Sequence, residues 1–195
     1  MDWPSFSTPL EKEILALQKD LAERQKKIIE LRKKLPAVEV KDYTFKDKNG
    51  KDIKLSEMFA GKKELMLVHN MGKSCPYCTL WADEYNGVAH HLENRVPFVV
   101  ISPNEPTEMK EFADGRNWKF KIYSSKGNTF KKDVGFEMED KSVLPGVSVF
   151  RKDEQGKIFH VNKAQFGPGD NFAGIWHYFD LLEDGAGKWN PKYTY

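Results

Sequence analysis

The sequence predicts an α/β domain built on a central, mixed and partly parallel sheet flanked by helices, preceded by an N-terminal helical arm. Three observations predict it. From Val38 onward, short apolar runs of strand character alternate with stretches of helical spacing. The run Glu64 to His69 (ELMLVH) is almost continuously apolar, as expected of a strand buried on both faces. Before Pro36, a single 3–4 spaced pattern runs unbroken by any turn signal. The chain of 195 residues has room for one domain with a sizeable core and such an appendage, so residues 1–37 read as the arm and 38–195 as the domain.

In the arm, Thr8 can cap a helix, Pro9 suits its first position and Glu11 completes a capping box. Ile14, Leu17, Leu21, Ile28, Leu31 and Leu35 form one seam, and Pro36 stops the helix. The seam can pair with a second copy, giving a homodimer, or dock on the chain's own domain. Fewer than four clean heptads favour docking. Arg32-Lys33-Lys34 is the most basic block, and it lies where it complements the negative end of the helix dipole.

In the domain, Tyr43 to Lys46 and Asp52 to Leu55 read as strands joined by an Asn49-Gly50 turn. Ser56 can cap a short helix ending near Gly61. After ELMLVH, a helix starts at Pro76 and runs to about Asn94, with Leu80, Trp81, Tyr85, Val88 and Leu92 as its apolar positions. Then follow a strand at Phe98 to Ser102, a helix over 107–114, a strand at Phe120 to Ser124 and a helical stretch over 128–134. Strands at Val147 to Arg151 and Lys157 to Val161 flank a turn at 153–156. The last helix is expected to start at Asp170 and to carry Phe172, Ile175, Trp176 and Phe179 inward.

Composition excludes several function classes. Hydrophobic residues at 39% with charged residues at 31% describe a soluble globular chain. No stretch approaches the ~20 apolar residues of a membrane span. A formal net charge of +2 gives no nucleic-acid surface. The N-terminal MDWPSFSTPLEKE lacks the basic start and apolar run of a secretory signal, so the expected compartment is the cytoplasm. There, a C-x-x-C pair reads as redox or metal chemistry.

The chain has two cysteines, and they form that pair in HNMGKSCPYCTLWADEYNG. A buried strand runs towards Cys75 and a helix begins at Pro76, so Cys75 falls at a helix N-terminus. Unpaired N–H groups and the helix dipole stabilise an anion there. The thiolate is the reactive form, so this position favours a nucleophile. Lys73 is close enough in sequence to add positive charge, and His69 lies near enough to influence the pair. Cys78, one turn along, can face Cys75 and resolve a mixed disulfide. Two other readings stay open. A zinc site would need His90 and His91 beside the cysteines, although adjacent helical histidines diverge by about 100° and zinc fingers usually separate them by three to five residues. Alternatively, the two thiols are inert small hydrophobes.

The order strand, CPYC, long helix, then Leu144-Pro145-Gly146-Val147-Ser148-Val149-Phe150, resembles the thioredoxin superfamily over about 38–182. The segment YTFKDKNGKDIKLSEMFAGKKELMLV looks like the start of its peroxiredoxin-like and cytochrome-maturation branches. CPYCTLWADEYNGVAHHL, NWKFKIYSS and LPGVSVFRKD together resemble a bacterial and fungal thioredoxin-like family once known only as a domain of unknown function. The resemblance implies a thioredoxin-like fold, with Cys75 attacking, Cys78 resolving and Pro145 matching the cis-proline beside the substrate groove. Here, however, Leu144 and Gly146 flank that proline. It also implies thiol–disulfide exchange on a disulfide-bearing protein or small thiol, with electrons from glutathione or a thioredoxin-type system and neither metal nor organic cofactor. The peroxidatic Pro and Thr or Ser upstream of the cysteine are missing, and Ser74 does not supply them. A thioredoxin-like binding module without turnover, or a zinc-binding interaction protein, is the alternative.

Overall fold

Helix α1 (Pro9–Arg32) begins with the expected capping box. Glu11 N donates to Thr8 Oγ1 at 3.2 Å, and Thr8 N donates to Glu11 Oε2 at 2.8 Å. The structure, a computed structural model, describes residues 8–195. The chain falls into two compact units, one ending at Pro36 and the other spanning Ala37–Tyr195. The described part of the first unit is this helix and its C-terminal turn, so its Leu and Ile seam has no second element there to pack against.

The second unit is built on an eight-stranded sheet. Its strands are β1 (Val38–Val40), β2 (Thr44–Lys46), β3 (Asp52–Lys54), β4 (Glu64–His69), β5 (Phe98–Ser102), β6 (Lys121–Ser124), β7 (Gly146–Lys152) and β8 (Ile158–Gln165). They lie in the order β1-β8-β7-β4-β5-β6-β2-β3. The central strands β4, β5 and β6 are parallel, and β7 joins β4 antiparallel with His69 opposite Gly146. The helices are α2 (Leu55–Met58), α3 (Pro76–Arg95), α4 (Pro106–Gly115), α5 (Phe130–Asp133) and α6 (Ile175–Phe179).

Strand alternation divides the core between the two faces of the sheet. Val68, Phe98 and Val100 point to one face, with Cys78, Trp81 and Tyr85 of α3, Met109 of α4 and Trp176 of α6. Leu65, Leu67, Val99 and Ile101 point to the other, with Leu55, Phe59, Phe130, Phe136 and Phe150. The fold class is therefore the expected one: a mixed sheet covered by helices on both faces.

Several local expectations change. Strand β1 is too short to give a periodic signal, and its register against β8 supplies the order that its sequence lacks. Helix α2 starts at Leu55. Glu57 reaches back to accept from Lys54 N at 2.7 Å, while Ser56 donates its hydroxyl to Asp42 instead of capping. On α3, Ala89 is buried where Val88 is exposed: the buried row steps by four from Trp81 through Tyr85 to Ala89. In α6, Trp176 is buried, Ile175 and Phe179 are half-buried and Phe172 lies outside the helix, exposed. Gly167 N and Phe172 N both donate to the Asp170 carboxylate, which holds that segment as a turn.

Gly146, the first residue of β7, sits where a Cβ would strike Ala164 O and the Phe136 ring. Gly146→Ala is expected to destabilise the protein by about 1–3 kcal/mol, the usual cost of overpacking. Urea denaturation at pH 7 checks this, and an unchanged midpoint would mean that the β7–β8 pair yields freely.

Candidate active site

Strand β4 ends at His69 and helix α3 starts at Pro76, and the six residues between them build the site. Two of their backbone N–H groups are satisfied by asparagine side chains. Asn70 Oδ1 accepts from Gly72 N at 2.7 Å, and Asn104, beyond β5, accepts from Lys73 N at 2.9 Å. Gly72 has φ +108°, and a Cβ there would lie 2.9 Å from Asn104 Oδ1, so the turn needs glycine.

Cys75 is the N-cap residue of α3, in extended backbone, and Pro76 occupies the first turn. Its Sγ accepts from Cys78 N at 3.1 Å, the role that a Ser or Asp oxygen plays at other helix starts. Both cysteines are free thiols, Cys75 half-buried and Cys78 buried. Their acidities are pushed apart. The Cys78 thiol, donating to Cys75 Sγ, is the largest influence lowering the Cys75 pKa to about 7. Burial opposes it, and the N–H groups of Cys78 and Tyr77 add to it. The same hydrogen bond, together with burial, pushes the Cys78 thiol far above its usual range.

The remaining expected site residues stand elsewhere. Lys73 Nζ pairs with Glu108 Oε1 at 2.7 Å, and both side chains are exposed. His69 is fully buried but faces away from the dithiol, as its place in the β4 alternation requires. Its ring stacks on Phe136 at 3.7 Å, and its Nε2 lies 2.9 Å from Ser148 Oγ. Burial, then Lys131, His160 and Lys163, hold its pKa well below the usual value. Pro145 lies one position beyond the His69–Gly146 pair, level with Asn70, and its carbonyl accepts from Phe166 N at 3.0 Å. The Leu144–Pro145 bond is trans, unlike the cis bond that the thioredoxin resemblance implies. His90 and His91 are exposed on α3, roughly 18 Å along the axis from Cys78, so the helix cannot bring them to the sulfurs.

Sequence reasoning missed two features. The C-terminal segment covers the start of α3: Tyr77 stacks on Trp176 with centroids 6.1 Å apart, and its hydroxyl donates to Asn190 Oδ1 at 2.7 Å. Trp81, one of the expected apolar positions of the helix, is core against Phe166. The second feature is Lys131 on α5, 3% exposed, with Nζ donating to Asn70 O at 2.6 Å. Burial lowers its pKa to about 8, while Cys78 and Glu137 pull the other way. The string FKKD carries no sign that one lysine is inside.

The family profile described as "Bacterial protein of unknown function (DUF899)" matches residues 8–194. The chain belongs to this family. The DUF899 chain is also 28% identical over 127 residues to a chloroplastic peroxiredoxin Q of Populus jackii, covering 65% of this chain and 59% of that protein. It thus spans about three fifths of the curated relative's length. Two solved structures share its fold. Peroxidoxin BcpB of Mycobacterium tuberculosis superposes with TM-score 0.54 at 20% identity, over 67% of this chain and 85% of that one. Reduced Prx3 of Vibrio vulnificus in complex with hydrogen peroxide gives 0.54 at 17%, over 68% and 88%. These likenesses confirm the thioredoxin-like fold of the DUF899 chain.

The thiol of Cys75 should titrate near pH 7, its alkylation by iodoacetamide accelerating as pH rises through that value. In Cys78→Ala the largest stabilising contact is gone, and the inflection should move up towards the ordinary ~8.5. An inflection that stays near 7 would assign the acidity to the helix start alone.

Proposed function

We propose that this protein is a thiol–disulfide oxidoreductase whose Cys75 attacks and whose Cys78 resolves. The observation that carries this reading is the opposite tuning of the two thiols, one half-exposed and acidic, the other buried and held as a thiol. The Cys75 thiolate attacks one sulfur of a substrate disulfide R–S–S–R′. R′S⁻ leaves and takes a proton from water, and a Cys75–SR mixed disulfide remains. Cys78 loses its proton and attacks Cys75 Sγ; RS⁻ leaves, and the Cys75–Cys78 disulfide holds the two electrons' worth of oxidation. An external thiol reductant, glutathione or a thioredoxin-type protein, restores the dithiol.

The substrate is a disulfide-bearing protein or small thiol compound, reached along the Pro145 side of the junction. A reducing compartment, the cytoplasm, suits a dithiol that is re-reduced at every turnover. No helix among the described residues is long and apolar enough to cross a membrane. Helix α1, with its Leu and Ile seam, is the segment through which two copies would pair. The low Cys75 pKa supports turnover over a silent binding module.

The peroxiredoxin likeness supports one second reading, in which the oxidant is a peroxide. The Cys75 thiolate would then attack one peroxide oxygen, the O–O bond would break and the other oxygen would leave as alcohol or water after taking a proton, giving a sulfenic acid; Cys78 would condense with it to form the disulfide and release water. Disulfides are the favoured oxidant, since the peroxidatic Pro and Thr are missing from the sequence.

Equilibration with defined glutathione ratios, followed by mass measurement after thiol alkylation, tests the proposal. A reversible two-electron transition between about −180 and −270 mV is expected. Cys78→Ser should trap the mixed disulfide. A pair that forms no disulfide under oxidising ratios would end the redox reading.

A further inference from the structure

Lys131 is a buried charge that the proposed cycle does not use, and one peptide unit connects it to the dithiol. Lys131 Nζ donates to Asn70 O at 2.6 Å, and Met71 N–H, the other end of the same peptide group, points at Cys78 Sγ at 3.4 Å. A trans peptide directs its C=O and N–H in opposite directions, so the two contacts lie on its two sides. A cation on the carbonyl oxygen draws electron density towards it and makes the N–H a stronger donor to a sulfur anion. The Asn70 side chain ties the same unit to α3, its Nδ2 donating to Cys78 O at 3.4 Å.

We propose that Lys131 is a positioning residue for the resolving step, acting through the Asn70–Met71 peptide to let the buried Cys78 attack as a thiolate. The proposal rests on the thiol–disulfide reading above. In the step it assists, the Cys78 proton leaves to water, the Cys78–Cys75 S–S bond forms, the Cys75–SR bond breaks and RS⁻ departs. Lys131 keeps its proton throughout.

The surrounding groups leave a clear pH window. Lys131 is faced by Cys78 of α3, by His69 of β4 and by Glu137, which follows α5. His69 is neutral there because burial depresses its pKa, and His160 and Lys163 of β8 act on His69. Cys78 is also faced by Cys75, Tyr85 and Tyr193; both tyrosines are held above their usual range and stay neutral. Once Cys75 is in the mixed disulfide it no longer titrates. Between pH 7 and 9 the resolving rate therefore reports on the Cys78–Lys131 pair, whose proton losses belong to the pair as a whole.

The test uses the reduced full-length protein and the chromogenic disulfide 5,5′-dithiobis(2-nitrobenzoate) in stopped flow. The first thionitrobenzoate released marks attack by Cys75, and the second marks resolution by Cys78. In Lys131→Met the first release should stay within about threefold of the parent, while the second slows about tenfold at pH 7. The parent's second phase should rise with pH and level off above about 8, where Lys131 loses its charge. That of Lys131→Met should keep rising through pH 9. An unaltered second phase in the variant, or a parent profile that rises without levelling, overturns the proposal. The parent profile decides the matter even where the variant does not fold. Absence of any second release from the parent would instead sink the dithiol reading itself, and this inference with it.

Discussion

The structure depends on how the chain passes from the end of strand β4 to the start of helix α3. A strand that stops inside a sheet and a helix that starts beside it both leave backbone groups without partners. Here Asn70, Asn104 and the carbonyl of Gly72 satisfy the turn, and the sulfur of Cys75 takes the helix N–H of Cys78. Closing the backbone and polarising the cysteine are thus one arrangement. The helix then fixes the second sulfur: one turn on, Cys78 faces the sheet and enters the core with Trp81 and Tyr85. Two identical side chains three residues apart acquire opposite acidities chiefly through the hydrogen bond that the Cys78 thiol gives Cys75 Sγ, with the N–H groups at the helix mouth favouring the first thiolate and burial opposing the second.

Much of this was legible in the sequence because its causes are local. An apolar six-residue run, a proline at the first helical position and a cysteine before it are sufficient to place β4, the start of α3 and the dithiol. What was illegible depended on contacts distant in the chain. Ser56 looks like a cap, but Asp42, far back in sequence, takes its hydroxyl and Glu57 does the capping. Lys73 has the right sign beside Cys75, but Glu108 on α4 has a better claim on its ammonium. His69 is close to the thiols in number only, since strand alternation turns it to the opposite face among Phe130 and Phe136. Lys131 is the reverse case: it stands in a polar tetrapeptide and is placed inside only because Phe130 anchors α5 against the sheet.

Peroxiredoxin structures share this fold, and a fold alone does not assign the chemistry performed on it. A second thiol one turn away gives Cys75 both a hydrogen-bond donor and an intramolecular route to a disulfide. On the proposed reading, an oxidised Cys75 is closed from within the chain, whether the oxidant was a disulfide or a peroxide.

Burial penalises the ammonium of Lys131 and the thiolate of Cys78 separately. Held on the two sides of one peptide group, each charged form offsets part of the cost of the other. In the reduced protein Cys78 is held as a thiol, so this balance comes into play as its thiolate forms, and a Cys78 already in a disulfide can carry no charge at all. The lysine then holds its proton less tightly in the oxidised protein than beside a Cys78 thiolate. By reciprocal linkage, a proton on Lys131 favours the form in which Cys78 can become an anion. On the proposed reading, the buried lysine eases the loss of the Cys78 proton through the same peptide that closes the turn.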